Sequence, residues 1–288
     1  SAYLAHLVVK EFGLRPLAIH VDGGWNSEKA VRNINLIINK LDIDLFTKVI
    51  EWQEMRDLQL AFLKSGVMNQ DIPQDHAFFA TLYLAASKFG VKSFLSGVNL
   101  ATESVDLPNG SGHPSIDGKH VKAIHKKFGS KVLSTFPIMS ILKYTYLSQV
   151  LKKPKIYKPL NWLSYDKNKA QQILEEEYGW IDYGTKHSES RFTKFYQELY
   201  LPRKINYDKR RLHLSSLIVA GQLSRLDAID ILRSPISSPR EYQRDIKFVA
   251  KKLGITKEEL EELIDAKIVS HQKYNHGLWI LKFLIYFK

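Results

Sequence analysis

The sequence predicts an α/β protein, a parallel sheet with helices on both faces over residues 1–110, followed by a mainly helical region over residues 111–288. Three observations predict it. Short apolar or β-branched runs alternate with amphipathic stretches in the first 110 residues, as parallel strands require, because each crossover between them carries a helix. Beyond residue 110 the strand pattern gives way to apolar residues at helical spacing. Charge follows the same division: residues 1–110 carry 10 basic and 12 acidic side chains, whereas residues 111–220 carry 20 and 9.

The elements follow in order. Residues 3–12 place Leu4, Leu7 and Val8 on one helical face, and Gly13 closes that helix. Leu17-Ala18-Ile19-His20-Val21 reads as a buried strand running into Asp22-Gly23-Gly24. Ser27 caps a helix from Glu28 to about Lys40, with Val31, Ile34, Ile37, Ile38 and Leu41 at helical spacing. Residues 44–50 form a second strand. Gln74 or Asp75 begins a helix, apolar at Phe78, Phe79, Leu82 and Ala86, that ends at Phe89-Gly90; residues 91–95 are then a third strand, broken by Ser96-Gly97. Residues 106–118 are rich in Pro, Gly, Ser and Asn, the composition of a long loop or lid. Helices are expected at residues 120–128, 141–151, 167–178, 190–200, 210–220, 225–232, 239–253 and 257–266, the last capped by Thr256. The apolar run over residues 278–287 is a buried terminal helix or strand, or else an interfacial anchor.

Composition removes several function classes. The 288 residues include no cysteine, which excludes a disulfide scaffold, a Cys-ligated zinc and a thiol nucleophile within them. No apolar run is long enough to span a bilayer, so the expected setting is the cytoplasm. The net charge of +12 is local rather than uniform, which favours a phosphate-facing cluster, or a solvated lysine-rich surface, over a nucleic-acid coat.

In open parallel sheets, ligands bind beyond the carboxyl ends of the strands. Two loops occupy that edge: Asp22-Gly23-Gly24-Trp25-Asn26-Ser27 and Gly97-Val98-Asn99-Leu100-Ala101-Thr102-Glu103. Each alone is also what a turn and a helix cap would look like. Together they point to a nucleotide site. Asp75 and His76 open a helix, as a cap and a half-buried polar residue or as groups that bind substrate and shuttle protons. The third cluster runs from Lys186 through His187, Arg191 and Lys194 to Arg203, Lys204, Lys209, Arg210 and Arg211. It reads as fixed charge for phosphate binding or as a solvated helical face.

At these residues the chain resembles the PP-loop ATP pyrophosphatase superfamily, with its adenine nucleotide α-hydrolase-like fold, and more closely the N-acetyl sugar amidotransferases of lipopolysaccharide and surface-sugar synthesis. The matching stretches are Ser1-Ala2-Tyr3-Leu4-Ala5-His6-Leu7, LAIHVDGGWNS at residues 17–27, Gln74-Asp75-His76-Ala77, LSGVNLATES at 95–104, KAIHKKFG at 122–129, and residues 186–232. The SGGxDS phosphate loop of that superfamily is not found; Ser1 resembles its closing serine. A chain beginning inside its own phosphate-binding motif is therefore expected, with a Cys-containing segment before it.

The resemblance implies ATP and Mg²⁺ as cofactors, and adenylation of the acetamido oxygen of a nucleotide-linked N-acetylated sugar before ammonia displaces AMP. A glutaminase-type subunit would supply the ammonia. On this reading Lys186, Arg191, Lys204 and Arg210 neutralise developing charge, Ser1, Asp22, Gly23, Gly97 and Asn99 contact the nucleotide, Trp25, Asn26, Asp75 and His76 contact substrate, and Glu103 holds Mg²⁺. The alternatives are a PP-loop enzyme that modifies tRNA bases, against which stands the lack of a recognisable RNA-binding module, and a non-catalytic nucleotide-binding chain.

Overall fold

A computed structural model describes residues 1–105, 112–151 and 154–280, without the side chains of residues 149 and 150. The expected loop at 106–118 therefore lies partly outside the described residues, and the apolar C-terminal run almost wholly so.

Helix α1 (Ala2–His6) continues as a wider π turn over Leu7–Glu11, and Gly13 at φ +62° reverses the chain as expected. Strand β1 (Leu17–Asp22) enters helix α2 (Glu28–Leu41), whose Ser27 cap accepts from the Ala30 amide at 3.2 Å. Strand β2 (Asp44–Val49) returns parallel to β1, with Leu17 opposite Asp44 and Asp22 opposite Val49. Next come α3 (Trp52–Ser65) and α4 (Ile72–Phe89). Gly90, at φ +65°, closes α4 where the sequence placed its end. Strand β3 (Ser93–Leu95) pairs in parallel with β4 (Lys155–Tyr157). Among the described residues, then, the expected single sheet is two separate parallel pairs, with no ladder joining β1 to β3.

The rest is mainly helical, as expected. Helices α5 (Leu100–Glu103), α6 (Gly118–Phe128), α7 (Ile141–Thr145) and α8 (Lys167–Tyr178) come first. Helix α9 (Arg191–Phe195) runs through a π turn into α10 (Leu201–Ile205). The last four are α11 (Arg210–Val219), α12 (Arg225–Arg233), α13 (Pro239–Leu253) and α14 (Lys257–Asp265). Ser238 with Glu241, and Thr256 with Glu259, form reciprocal capping boxes that fix the starts of α13 and α14.

Four hydrophobic cores among the described residues cross residue 110, and two of them lie next to the candidate site. One joins Trp25 and Leu63 to Phe192, Phe195, Ile246 and Leu253. The other joins Met55, Leu58 and Phe62 to Val121, Ile124 and Phe136. Helix α3 also presents buried carboxylates to the following segment. Glu54 accepts from the backbone amides of Ser134, Thr135 and Phe136, and Asp57 from those of Ser130 and Lys131 and from His125 Nε2. Burial pushes both carboxyls up, but these hydrogen bonds outweigh it and hold both below their ordinary values. Residues 130–136 are thereby clamped to α3 through side chains rather than through a strand ladder.

Candidate functional site

The predicted residues separate into two groups when placed in the fold. The first gathers around Ser1, the loop after β3 and the approach to α9. A Cβ on Gly97 would sit 3.0 Å from the Ser1 nitrogen and 3.2 Å from its Cα, so glycine lets these segments lie closer than a larger residue would without a small shift. Asn99 caps α5, its Oδ1 accepting from the Thr102 amide at 3.0 Å, while its Nδ2 reaches back to the Gly97 carbonyl. Lys186 arches over this turn, donating to the Thr102 carbonyl at 3.0 Å and pairing with Glu103 at 2.9 Å.

More positive charge lies behind Lys186. Helix α11 is tied to the end of α5 by Ser216, whose hydroxyl accepts from the Val105 amide at 3.0 Å. The same helix carries His213, whose ring lies 5.9 Å from that of His187. Burial, with Lys186, His187, Lys209 and Lys167 nearby, drives the His213 imidazole down to about 3. Burial, opposed by Glu103 but reinforced by Lys167 and Lys209, likewise lowers Lys186. Lys167 and Lys209 have no carboxylate partner within ion-pair distance among the described residues. His213 and Lys167 were missed in the sequence; the Lys209/His213 spacing of four, one helical face, is the signal that points to His213.

Opposite this cluster, Asp71 and Asp75 stand one turn apart at the start of α4. Burial lifts Asp75 to about 6, against the pull of Ser115, His187 and Lys209. Burial and the neighbouring Asp75 raise Asp71 well above its ordinary value. Asp71 also joins a polar chain to the loop after β1. Thr193 and Gln74 donate to Asp71, Ser190 donates to Gln74, and Ser190 bridges Asn26 through the backbone. The Asn26 side chain lies 3.2 Å from His20 Nε2. Asp22 turns its own loop, accepting from the Gly24 amide at 2.8 Å, and Gly23 lets that loop lie against Met55, where an added Cβ would sit 3.2 Å from its methyl. A cleft of about 540 Å³ lined by Asn26, Glu28, Arg32 and Asn35 opens along α2, and none of the cationic cluster lines it.

The second group consists of five expected site residues that the structure buries in cores or engages with other partners, Trp25 Nε1 being buried without a hydrogen-bond partner. Trp25 is 1% exposed, wedged against Trp52 and Phe192 at 5.2 and 5.1 Å, so it supports its loop from beneath and offers no ring to substrate. His76 is fully buried: Nε2 accepts from the Met139 amide at 3.1 Å, which leaves the proton on Nδ1 to donate to the Ser115 carbonyl at 2.6 Å. Both nitrogens are spent, and burial keeps the ring neutral. Lys204 donates to the carbonyls of Ile264 and Ala266 and so caps α14. Arg210 is held by Asp208 and by the Ser234 carbonyl, which ties α11 to the end of α12. Arg191 pairs with Asp245 at 3.0 Å, and its guanidinium covers the Phe248 ring at 4.1 Å, which fastens α9 to α13.

Residues 189–284 match the family of LPS biosynthesis protein WbpG-like C-terminal domains. The match supports a role in lipopolysaccharide biosynthesis. It includes Lys209 and His213 of the cationic cluster and begins three residues after Lys186. No curated protein matches the chain. No helix among the described residues is long and apolar enough to cross a membrane.

Proposed function

We propose that the protein is an ATP-dependent, AMP-forming N-acetyl sugar amidotransferase of lipopolysaccharide biosynthesis. One observation carries most weight: Lys167, Lys186, His187 and Lys209 gather around His213, Lys186 also lies near the Ser1 amine, and Lys167 and Lys209 have no ion-pair partner among the described residues. Fixed positive charge of this kind suits a polyphosphate and the pyrophosphate that leaves it.

An acetamide is a poor electrophile and its oxygen a poor leaving group; adenylation changes both. In this reading the acetamido oxygen attacks the α-phosphorus of ATP, the phosphoanhydride bond breaks, and pyrophosphate leaves toward Lys186 and Lys209. Ammonia then adds to the activated carbon, one proton passes to Asp75, and the carbon–oxygen bond breaks to release AMP and leave an acetamidino group. A carboxyl raised to about 6 is ionised at neutral pH yet basic enough for that proton. The sugar is a nucleotide-linked N-acetylated one, and a glutaminase-type partner supplies the ammonia. Glu103, which would hold Mg²⁺ on this reading, is paired with Lys186 at 2.9 Å in this structure.

The test is incubation of the purified full-length protein with ATP, ammonium and a panel of UDP-N-acetylated uronic acids. AMP and a product in which NH replaces one oxygen are expected. AMP formation that depends on tRNA instead of sugar would transfer the chemistry to the rival acceptor.

A further inference from the structure

Away from this site, three imidazoles from two distant parts of the chain converge with no other role assigned to them. His113 and His120 flank the start of α6, and His271 follows α14. One nitrogen from each lies within 4.8 Å of the other two. His120 Nε2 and His271 Nδ1 are 3.0 Å apart, and the rings of His113 and His120 are centred only 3.9 Å from each other. His113 is 5% exposed and His120 fully buried. A fourth imidazole, His276, lies with its ring 5.7 Å from that of His113, and its buried Nδ1 has no hydrogen-bond partner.

We propose that His113, His120 and His271, completed by His276, form a structural site for a divalent transition metal, zinc in the cell. Two observations carry this. A cation at the centre of the three nitrogens lies within about an ångström of the zinc–imidazole bond length, ~2.1 Å, and small ring rotations close the difference. Asp117 supplies the outer support that such sites use: its Oδ2 accepts from His113 Nε2 at 2.9 Å, which fixes that ring and leaves its Nδ1 for the metal. The same carboxylate accepts from the backbone amides of Lys119, His120 and Gly277, so it ties both ligand-bearing segments to one point.

With His113 and His120 buried and His276 close by as a fourth imidazole, the site leaves no open position toward a reacting ligand, so the role is structural. Its consequence reaches the candidate active site through Ser115. That residue sits between His113 and Asp117, donates to Asp75 at 3.2 Å and receives the His76 Nδ1 proton on its carbonyl. Pinning His113 to His271 therefore fixes the segment that positions Asp75.

The experiment is metal analysis of tag-free protein, with zinc alone as the probe. About one equivalent of zinc per chain is expected after dialysis, and His113→Ala and His271→Ala should each retain less than a tenth of that. His276→Ala should hold zinc more than tenfold more weakly. Cobalt substitution should give the visible absorption of a tetrahedral centre. Chelation should lower Tm of the wild-type protein by roughly 5–10 °C and leave the two ligand variants unchanged. Folded wild-type protein that carries no zinc, takes none up at micromolar concentration and melts identically with and without chelator would overturn the site and leave a hydrogen-bonded histidine cluster. Because metal content and Tm are read without turnover, this outcome is independent of the proposed reaction.

Discussion

Two sets of basic side chains in this protein sit in opposite circumstances. Around α9–α14, Arg191, Lys194, Arg203, Lys204 and Arg210 all end on carboxylates or helix-end carbonyls. Lys167, Lys186, His187 and Lys209 gather around His213, and burial together with these cations pushes His213 down to about 3; Glu103 pairs with Lys186, Glu189 with His187, and Asp71 and Asp75 lie near Lys209. The first set is already neutralised and binds helices together. The second keeps Lys167 and Lys209 without an ion-pair partner among the described residues, and charge left unpaired is what an anionic ligand satisfies. Counting Lys and Arg along the chain does not distinguish the sets; partner geometry does.

The largest effect should come from removing cations of the second set. Lys186→Ala and Lys209→Ala should each lower kcat/KM by 100-fold or more, with Tm shifting by less than about 3 °C, measured as AMP release and thermal melting. Comparable loss from Arg210→Ala would erase the distinction between the sets. Next, kcat/KM should rise as pH climbs through about 6, because Asp75 must lose its proton to act as base. Asp75→Asn should be at least tenfold slower and flat across that range. It should also be no less stable at neutral pH: with its folded pKa raised, Asp75 favours folding below its ordinary value, and that contribution is lost as pH rises through about 6.

The remaining predictions concern stability. Glu54→Ala leaves three amides of residues 134–136 without their acceptor and should cost about 3 kcal/mol in denaturant unfolding. Since the folded-state pKa of Glu54 is depressed, its contribution is present above the ordinary carboxylate value and lost as pH falls through the folded one. The smallest effect is expected in the paired set. Lys204→Ala and Arg210→Ala should each cost about 1 kcal/mol and change kcat/KM by less than about threefold.

Much of the fold was legible because local chemistry agreed with it. Ser27 and Thr256 as caps, Gly13 and Gly90 as stops, and β1 with α2 all stand where the sequence put them. Helix α3 was not legible. Glu54, Asp57 and Gln59 are buried on it, so the apolar period that marks a helix is broken by residues that clamp other segments. The glycine loops read as the edge of a nucleotide site, and in the structure their glycines lie against protein, Gly97 against Ser1 and Gly24 against the Trp52 ring. Basic residues were visible as a cluster only in sequence, because which of them meets a carboxylate is decided by helices tens of residues away. The four histidines at 113, 120, 271 and 276 form no short motif, since more than 150 residues separate the two halves of the set.

The most direct test of the proposed chemistry follows one oxygen atom. With ¹⁸O placed in the acetamido group of an accepted sugar nucleotide, ATP and ammonium, the label should appear in the phosphate of AMP, one atom per acetamidino group formed. Product formed with the label absent from AMP, or ATP cleaved with the label retained in the sugar, would contradict adenylation of the amide oxygen.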